Sequence, residues 1–231
     1  MSVWAIAAAA GEGSRLGGGP KALVRLGGSP MLSHSLVVLA KAGGVEGIVV
    51  AAPAGHEDGI RSVAVSTVPA TRVEVVTGGS TRQESVRRSL GAVPDAARRI
   101  VVHDAARPLV TVRLVDAALE ALDHAAGSIV AIPLTDTLKR AAGGFVGDTV
   151  SREDLFRAQT PQAFRADVFR AAHERAAADR FEATDDAELL ERLGERVAIV
   201  AGDERNLKVT TVEDLVLAEA LLRSARGGTE R

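Results

Sequence analysis

The 231 residues are 46% hydrophobic and 25% charged, with a formal net charge of −2. This is the balance of an ordinary soluble enzyme, long enough to bury a sizeable core. That charge gives no basic surface of the kind nucleic-acid and membrane binders carry, and the lack of cysteine excludes disulfides and thiolate metal sites. The first apolar run meets Glu12 too soon for a signal or spanning helix, so the sequence predicts a cytoplasmic protein without a membrane partner.

In chain order, Val3–Ala8 reads as a buried strand, followed by a loop of small residues carrying Gly11, Gly13, Arg15, Gly17, Gly18, Gly19, Pro20 and Lys21. Apolar residues at helical spacing place a helix at about 30–42, before a second strand, VEGIVVAAP. A short helix is expected at 55–66, a third strand at RVEVVTGG, and a helix at TRQESVRRSL opened by Ser80 and Thr81 with Glu84 on its first turn. RIVVHDAARP is a fourth strand ending in an acid-bearing loop, VRLVDAALEALDHAAG a helix, and SIVAIPL a fifth strand. Residues 135–161 break this rhythm around a Gly-Gly turn, with too little apolar content for a core of their own. They predict a projecting hairpin arm whose Leu138, Phe145, Val146 and Val150 need a partner, hence a homodimer, against the alternative of a hairpin folded back on its own domain. Helices follow at about 165–178 and 185–193, then the strand RVAIVAG, a short strand NLKVT, a closing helix TVEDLVLAEALLRSA and a frayed end, RGGTER. Strands alternating with helices predict a single α/β domain, Rossmann-like, with a mostly parallel twisted sheet covered on both faces. The continuous apolar character of the strands agrees with burial on both sides.

In such a sheet, ligands sit beyond the carboxyl ends of the strands, and the candidate chemistry gathers there. A loop of glycines and alanines lets backbone amides approach a phosphate chain, and Arg15 and Lys21 add charge. Taken alone it is also compatible with a flexible turn, since it matches neither GxxxxGK[ST] nor a clean GxGxxG. Asp104 follows a buried strand, where a carboxylate can hold a divalent cation against phosphate oxygens; the alternative is a salt bridge to Arg107. His103 lacks a second His or Cys at ligand spacing and reads as a satisfied strand-end histidine. Gly79, Ser80 and Ser85 can read a base edge or merely cap a helix, and Asp185-Asp186 reads as helix-dipole stabilisation rather than metal binding. Only four lysines occur among 28 basic residues, and Lys21, Lys139 and Lys208 all fall in these motifs.

Together AAAAGEGSRLGGGPK, GGSTRQESV, VHDAARP, TDTLKR, QTPQAF, TDDAELLE and NLKVTTVEDL resemble, in that order and over about residues 3–222, the 2-C-methyl-D-erythritol 4-phosphate cytidylyltransferase family. The resemblance implies a nucleotidyltransferase-type fold. It places Ala9, Ala10 and Gly11 near the nucleoside of CTP, Arg15 and Lys21 on its phosphates, and Gly79, Ser80 and Ser85 on cytosine. Ala105 would lie near the ribose, Asp104 would belong to the magnesium and substrate region, and Arg107 and Lys208 would face the reacting phosphates. Thr137, Arg152 and Thr160 match positions that help bind the polyol phosphate, some of them reaching over from a partner's arm. One departure stands out: Ala8 occupies the place of a proline common in the family, which loosens the loop's pre-set geometry without removing a functional group.

The mechanism implied is in-line attack by the substrate's own phosphate oxygen on the α-phosphorus of CTP. It needs no general base, only positioning and charge stabilisation by Arg15, Lys21, Lys208 and Mg²⁺. The alternatives are ribitol-5-phosphate cytidylyltransferase, with the same chemistry on another polyol phosphate, and a non-catalytic nucleotide-binding regulator. A dinucleotide oxidoreductase is disfavoured because VVAAP ends the second strand without an acid to hold a ribose.

Overall fold

The computed structural model describes residues 2–227; Met1 and residues 228–231, most of the expected frayed end, lie outside the described residues. The apolar runs become strands β1 (Val3–Ala8), β4 (Val45–Ala52), β5 (Arg72–Thr77), β6 (Arg99–Asp104), β7 (Gly127–Pro133) and β11 (Val197–Ala201). With β10 (Phe156–Arg165) they form one seven-stranded sheet ordered β11-β7-β10-β6-β1-β4-β5. Four of its pairings are parallel, and β10 runs antiparallel to both its neighbours.

The two faces of the sheet explain why the strands are apolar throughout rather than alternating. Val3, Ala5 and Ala7 point into a core shared with helices α1 (Met31–Lys41), α2 (Glu57–Thr67) and α4 (Val112–Glu120). Trp4 and Ile6 point the other way, toward α3 (Arg82–Leu90), α5 (Ala166–Asp179) and α6 (Asp186–Arg192). Successive side chains of a strand face opposite sides, so a strand covered on both sides needs an apolar residue at every position. A smaller cluster seats the last helix, α7 (Val212–Gly227), through Ala218 on Leu26, Met31 and Val209.

Several local expectations are corrected. A short hairpin, β2 (Arg25–Leu26) with β3 (Ser29–Pro30), precedes α1. The helix expected over 112–127 ends at Glu120 and continues as a single 3₁₀ turn, Ala121–Asp123. NLKVT is not a strand: its link to the strand-end loop is one backbone bond, Val209 N–H to the Ala106 carbonyl at 2.8 Å, so Lys208 sits on a loop. The arm is shorter than 135–161. Its hairpin is β8 (Leu138–Ala142) with β9 (Phe145–Val150), while Phe156–Pro161 already belong to β10 in the main sheet. Gln159, Thr160 and Gln162 are polar yet buried there, because neighbouring groups satisfy them, and polarity had suggested an exposed arm. On the hairpin itself Phe145 is 80% and Val146 68% exposed, and Leu138 and Val150 are half-buried.

Candidate active site

Parallel register brings the loop-bearing ends of three strands together: Ala8 lies opposite both Ala51 of β4 and Asp104 of β6. Ala8 completes the strand, its carbonyl accepting the Ala105 N–H at 3.1 Å, so the chain leaves the sheet in regular geometry without the family's proline. The loop that follows closes on itself. The Lys21 N–H donates to the Gly11 carbonyl (3.0 Å) and the Leu16 N–H to that of Gly13 (2.8 Å). Gly17, Gly18 and Gly19 all have φ between 84° and 93°, which only glycine adopts freely, and the run sets the bend that returns the chain to Lys21.

Between this loop, the Gly79–Arg82 turn and the end of β6 lies a cleft of about 260 Å³. It brings together Ala9, Ala10, Gly11, Lys21, Gly79, Ser80, Ser85, Asp104, Ala105 and Lys208, ten of the residues expected at the site. A wall of small residues continues past Ala10, Gly79 and Ser80 into a second cleft bounded by Gly18, Pro20 and His56.

Charge is concentrated at one end. The Asp104 carboxylate accepts from Arg82 Nε at 2.8 Å and from Lys208 Nζ at 2.7 Å, and Arg82 Nη2 donates to Asp186 at 2.7 Å. The expected alternative partner, Arg107, is not involved. Burial opposes ionisation of Asp104, but Arg82 and Lys208 outweigh it and hold the carboxyl well below the usual range. Burial likewise opposes the charge on Arg82, and its two carboxylates overcome that, raising the guanidinium above its ordinary value. Asp186, fully enclosed, is pushed up by burial against the pull of Arg82. Lys21 is lowered by burial first, then by Lys208 and Arg15 nearby. The cleft therefore presents cations crowded toward one carboxylate, an arrangement that a polyphosphate relieves.

The structure revises several expected contacts. Ser85 is buried, its hydroxyl donating to the Thr81 carbonyl (2.9 Å) and accepting the Gly79 N–H (3.0 Å), so it holds the turn together at the cleft wall. The N–H and hydroxyl of Ser80 both donate to Glu84, while Thr81 is the helix N-cap. Arg107 donates to the backbone carbonyls of Asn206 (2.8 Å) and Ala158 (3.2 Å), clamping the segment before Lys208 instead of lining the cleft. Thr160 is buried behind the rim, its hydroxyl accepting the Asp104 N–H at 3.0 Å, rather than opening toward a substrate. Thr137 and Arg152 lie at the root of the arm, outside this cleft, with Arg152 donating to the Thr135 carbonyl. Arg15 is exposed on a 3₁₀ turn, Ser14–Leu16.

His103 is satisfied within the strand end, between the Arg107 carbonyl and Thr160, and burial pushes its imidazole down to about 4. Sequence reasoning missed Asp186 and Asn206. Asp185, expected to stabilise the helix dipole, is the N-cap, accepting the Glu188 N–H at 3.0 Å, but Asp186 one residue later faces inward with Leu189 and Leu190, at the three- and four-residue spacing that could have shown it. Asn206 is buried, and its amide donates to Gln159 and to the Thr160 carbonyl.

No group of three or more His, Asp or Glu side chains suited to a metal gathers among the described residues. Asp104 alone offers carboxylate oxygens in the cleft. Each accepts one cationic donor and keeps a free lone pair. That donor set fits a hard cation such as Mg²⁺, which takes few protein ligands and completes its shell with phosphate oxygens and water.

The family described as 2-C-methyl-D-erythritol 4-phosphate cytidylyltransferase matches residues 3–224. A relative of that name from Geobacter metallireducens is 44% identical over 228 residues, covering 96% of this chain and 98% of its own. Another, from Deinococcus radiodurans, is 46% identical over 224 residues, covering 97% and 91%. The crystal structure of the enzyme so named from Thermus thermophilus is similar over 96% of this chain and 100% of its own, at 36% identity and a TM-score of 0.81. The chain belongs to the 2-C-methyl-D-erythritol 4-phosphate cytidylyltransferase family.

Proposed function

We propose that this protein transfers CMP from CTP to 2-C-methyl-D-erythritol 4-phosphate, forming the cytidine diphosphate derivative and releasing pyrophosphate. The observation that carries the reading is the charged end of the cleft: Lys208 paired to Asp104 at 2.7 Å, and Lys21, its charge crowded by Lys208 and Arg15, beside a wall of alanines and glycines. A phosphate monoester is already an anion, so its oxygen attacks the α-phosphorus without a base, and the bond to pyrophosphate breaks in line. Lys21 and Arg15 hold the triphosphate and neutralise charge as it moves onto the leaving group. Lys208 faces the incoming phosphate, where fixed cations stabilise developing charge without reorganising. Asp104 would hold the magnesium ion, which when bound would disperse the negative charge of the phosphates.

The exposed Phe145 and Val146 on the arm favour a homodimer, in which Thr137 and Arg152 at the arm's root meet the polyol phosphate held by the other subunit. The slightly negative net charge argues against nucleic acid, and no described helix is long and apolar enough to cross a membrane. A cytoplasmic enzyme is the reading these favour. The deciding assay offers CTP and Mg²⁺ with either 2-C-methyl-D-erythritol 4-phosphate or ribitol 5-phosphate and follows pyrophosphate. Faster release with ribitol 5-phosphate overturns the substrate, and CTP binding with no release under either overturns the enzyme. Sedimentation of the wild type against Phe145→Asp/Val146→Asp tests the arm; an unchanged mass for the variant rules it out as the interface.

A further inference from the structure

The strand that sequence reasoning missed breaks its ladder next to Asp104 at the rim of the cleft. β10 pairs with β6 from Arg165↔Arg99 to Gln162↔Val102, and the next positions along the same register set Pro161 against His103 and Thr160 against Asp104. Proline has no N–H to give, and the pairing of β10 with β7 also shifts between Gln159 and Gln162. A buried backbone N–H must still find an acceptor. At Asp104 that acceptor is the Thr160 hydroxyl, at 3.0 Å.

The same hydroxyl lies 3.1 Å from Nδ1 of His103, and Nε2 of that ring lies 3.1 Å from the Arg107 carbonyl. A carbonyl only accepts, so Nε2 carries the hydrogen. In the neutral ring Nδ1 is then bare and accepts from the hydroxyl, whose oxygen in turn accepts from Asp104. The chain of bonds has one direction throughout. It ends on the two limbs of a single turn, since the Arg107 N–H donates back to the Asp104 carbonyl at 2.9 Å. Asn206 closes the circuit by donating to the Thr160 carbonyl (2.9 Å), two residues before Lys208. Thr160 and His103 are 4% and 0% exposed, so neither has a surface to offer substrate.

We propose that Thr160 and His103 are positioning residues for nucleotidyl transfer, holding the Asp104–Arg107 turn so that the Asp104 carboxylate meets Lys208 at the depth the reaction requires. This rests on the activity proposed above. It reassigns Thr160, which the family resemblance had placed against the polyol phosphate, to a role through Asp104. The unbranched direction of the bonds also specifies a single tautomer of His103.

The test combines kinetics and ¹⁵N NMR on the full-length protein. Thr160→Val keeps the shape and removes the hydroxyl, while Thr160→Ser keeps the hydroxyl and removes a methyl. Thr160→Val is expected to lower kcat by roughly ten- to a hundredfold, the scale of a small misplacement of reacting groups. KM for the polyol phosphate should change less than about twofold, and Thr160→Ser should restore most of kcat. A Thr160→Val enzyme with normal kcat, or one whose loss is confined to KM for the polyol phosphate, overturns the proposal and returns Thr160 to substrate binding. The wild-type spectrum stands apart from turnover, and from whether a variant folds. A His103 resonance pair showing protonated Nε2 and bare Nδ1 at neutral pH supports the relay, and a protonated Nδ1 overturns it. A wild type without pyrophosphate release overturns the activity while leaving the tautomer result intact.

Discussion

Lys21 is the residue on which the charge of the site converges. Burial, then Lys208 and Arg15, lower its affinity for a proton, so an approaching anion relieves a repulsion already present in the folded protein. Lys21→Ala should therefore cost turnover by at least about a hundredfold, the scale of losing one preorganised charge contact. Pyrophosphate release measures it, and near-normal turnover removes Lys21 from the mechanism. At this scale the sequence was readable where a residue announced itself by its loop: Lys21 after the glycines, Asp104 after a buried strand, Lys208 in a chain poor in lysine. For Asp186 the spacing to Leu189 and Leu190 could show only that it faces inward; its role depends on Arg82, 104 positions away, and on an enclosure that makes its pairing obligatory. Ser85 and Thr160 were read as ligand contacts from their motifs; what the motifs could not show is that in the fold the Ser85 hydroxyl also braces the turn at the cleft wall and that of Thr160 lies buried behind the rim.

The glycine loop carries the next argument at the scale of an element. Gly13 has φ +62°, and a Cβ there would come within 3.0 Å of the Gly19 carbonyl and 3.1 Å of Lys21 Cα. Gly18 is also left-handed, at φ +84°, but a Cβ there meets nothing within 4 Å. Alanine at Gly18 thus meets only backbone strain, on the order of 1–2 kcal/mol in a surface loop. At Gly13 the same strain is joined by displacement of the segment that carries Lys21. Gly13→Ala should lose at least about tenfold more turnover than Gly18→Ala, since small displacements of positioning groups are costly, while the two melting temperatures stay close. Equal kinetic losses would mean that the ring closed by Gly11 and Lys21 does not position the lysine. Among the elements, most of the apolar strands and spaced helices were legible to within a few residues, the overlong α4 and the supposed strand NLKVT excepted. β10 was not, because Gln159, Thr160, Pro161 and Gln162 carry neither strand alternation nor apolar content, and their burial is made tolerable by partners on Asp203, Asn206, His103 and Asp185.

For the molecule as a whole, two buried histidines make stability fall as the solution is acidified. Burial pushes both His103 and His173 down to about 4, with Arg87 and Arg82 adding to the effect at His173. Between about pH 6.5 and 4 the unfolded chain binds the protons that the folded protein refuses, so stability falls as pH falls through that window, by up to ~3 kcal/mol for each ring. His173 packs edge-on to Phe169 with ring centroids 4.6 Å apart, and both its nitrogens are buried without a hydrogen-bond partner. His173→Leu removes two unsatisfied polar atoms and one of the two titrations. It should raise the melting temperature at pH 7 and flatten its decline toward pH 4.5, as read by thermal melts at both values. A variant whose melting temperature falls as steeply as the wild type's with acid would show that His173 does not titrate on unfolding.

The linear order of residues determined the α/β class, the strand and helix alternation, the rim where ligands gather and the cations that line it. All of these follow from local propensity, from periodicity and from the rule that loops beyond strand ends face a common crevice. The glycines and lysines kept their meaning because what they contribute, conformational freedom and charge, belongs to the residue itself. Tertiary structure alone decided which polar side chains face the cleft and which are spent inside. It turned Arg107 onto backbone carbonyls, Thr160 onto Asp104, and Asp186 onto Arg82. The physical reason is that a buried hydrogen bond is a property of two groups brought together by the fold, and its directional geometry leaves no periodic trace along the chain.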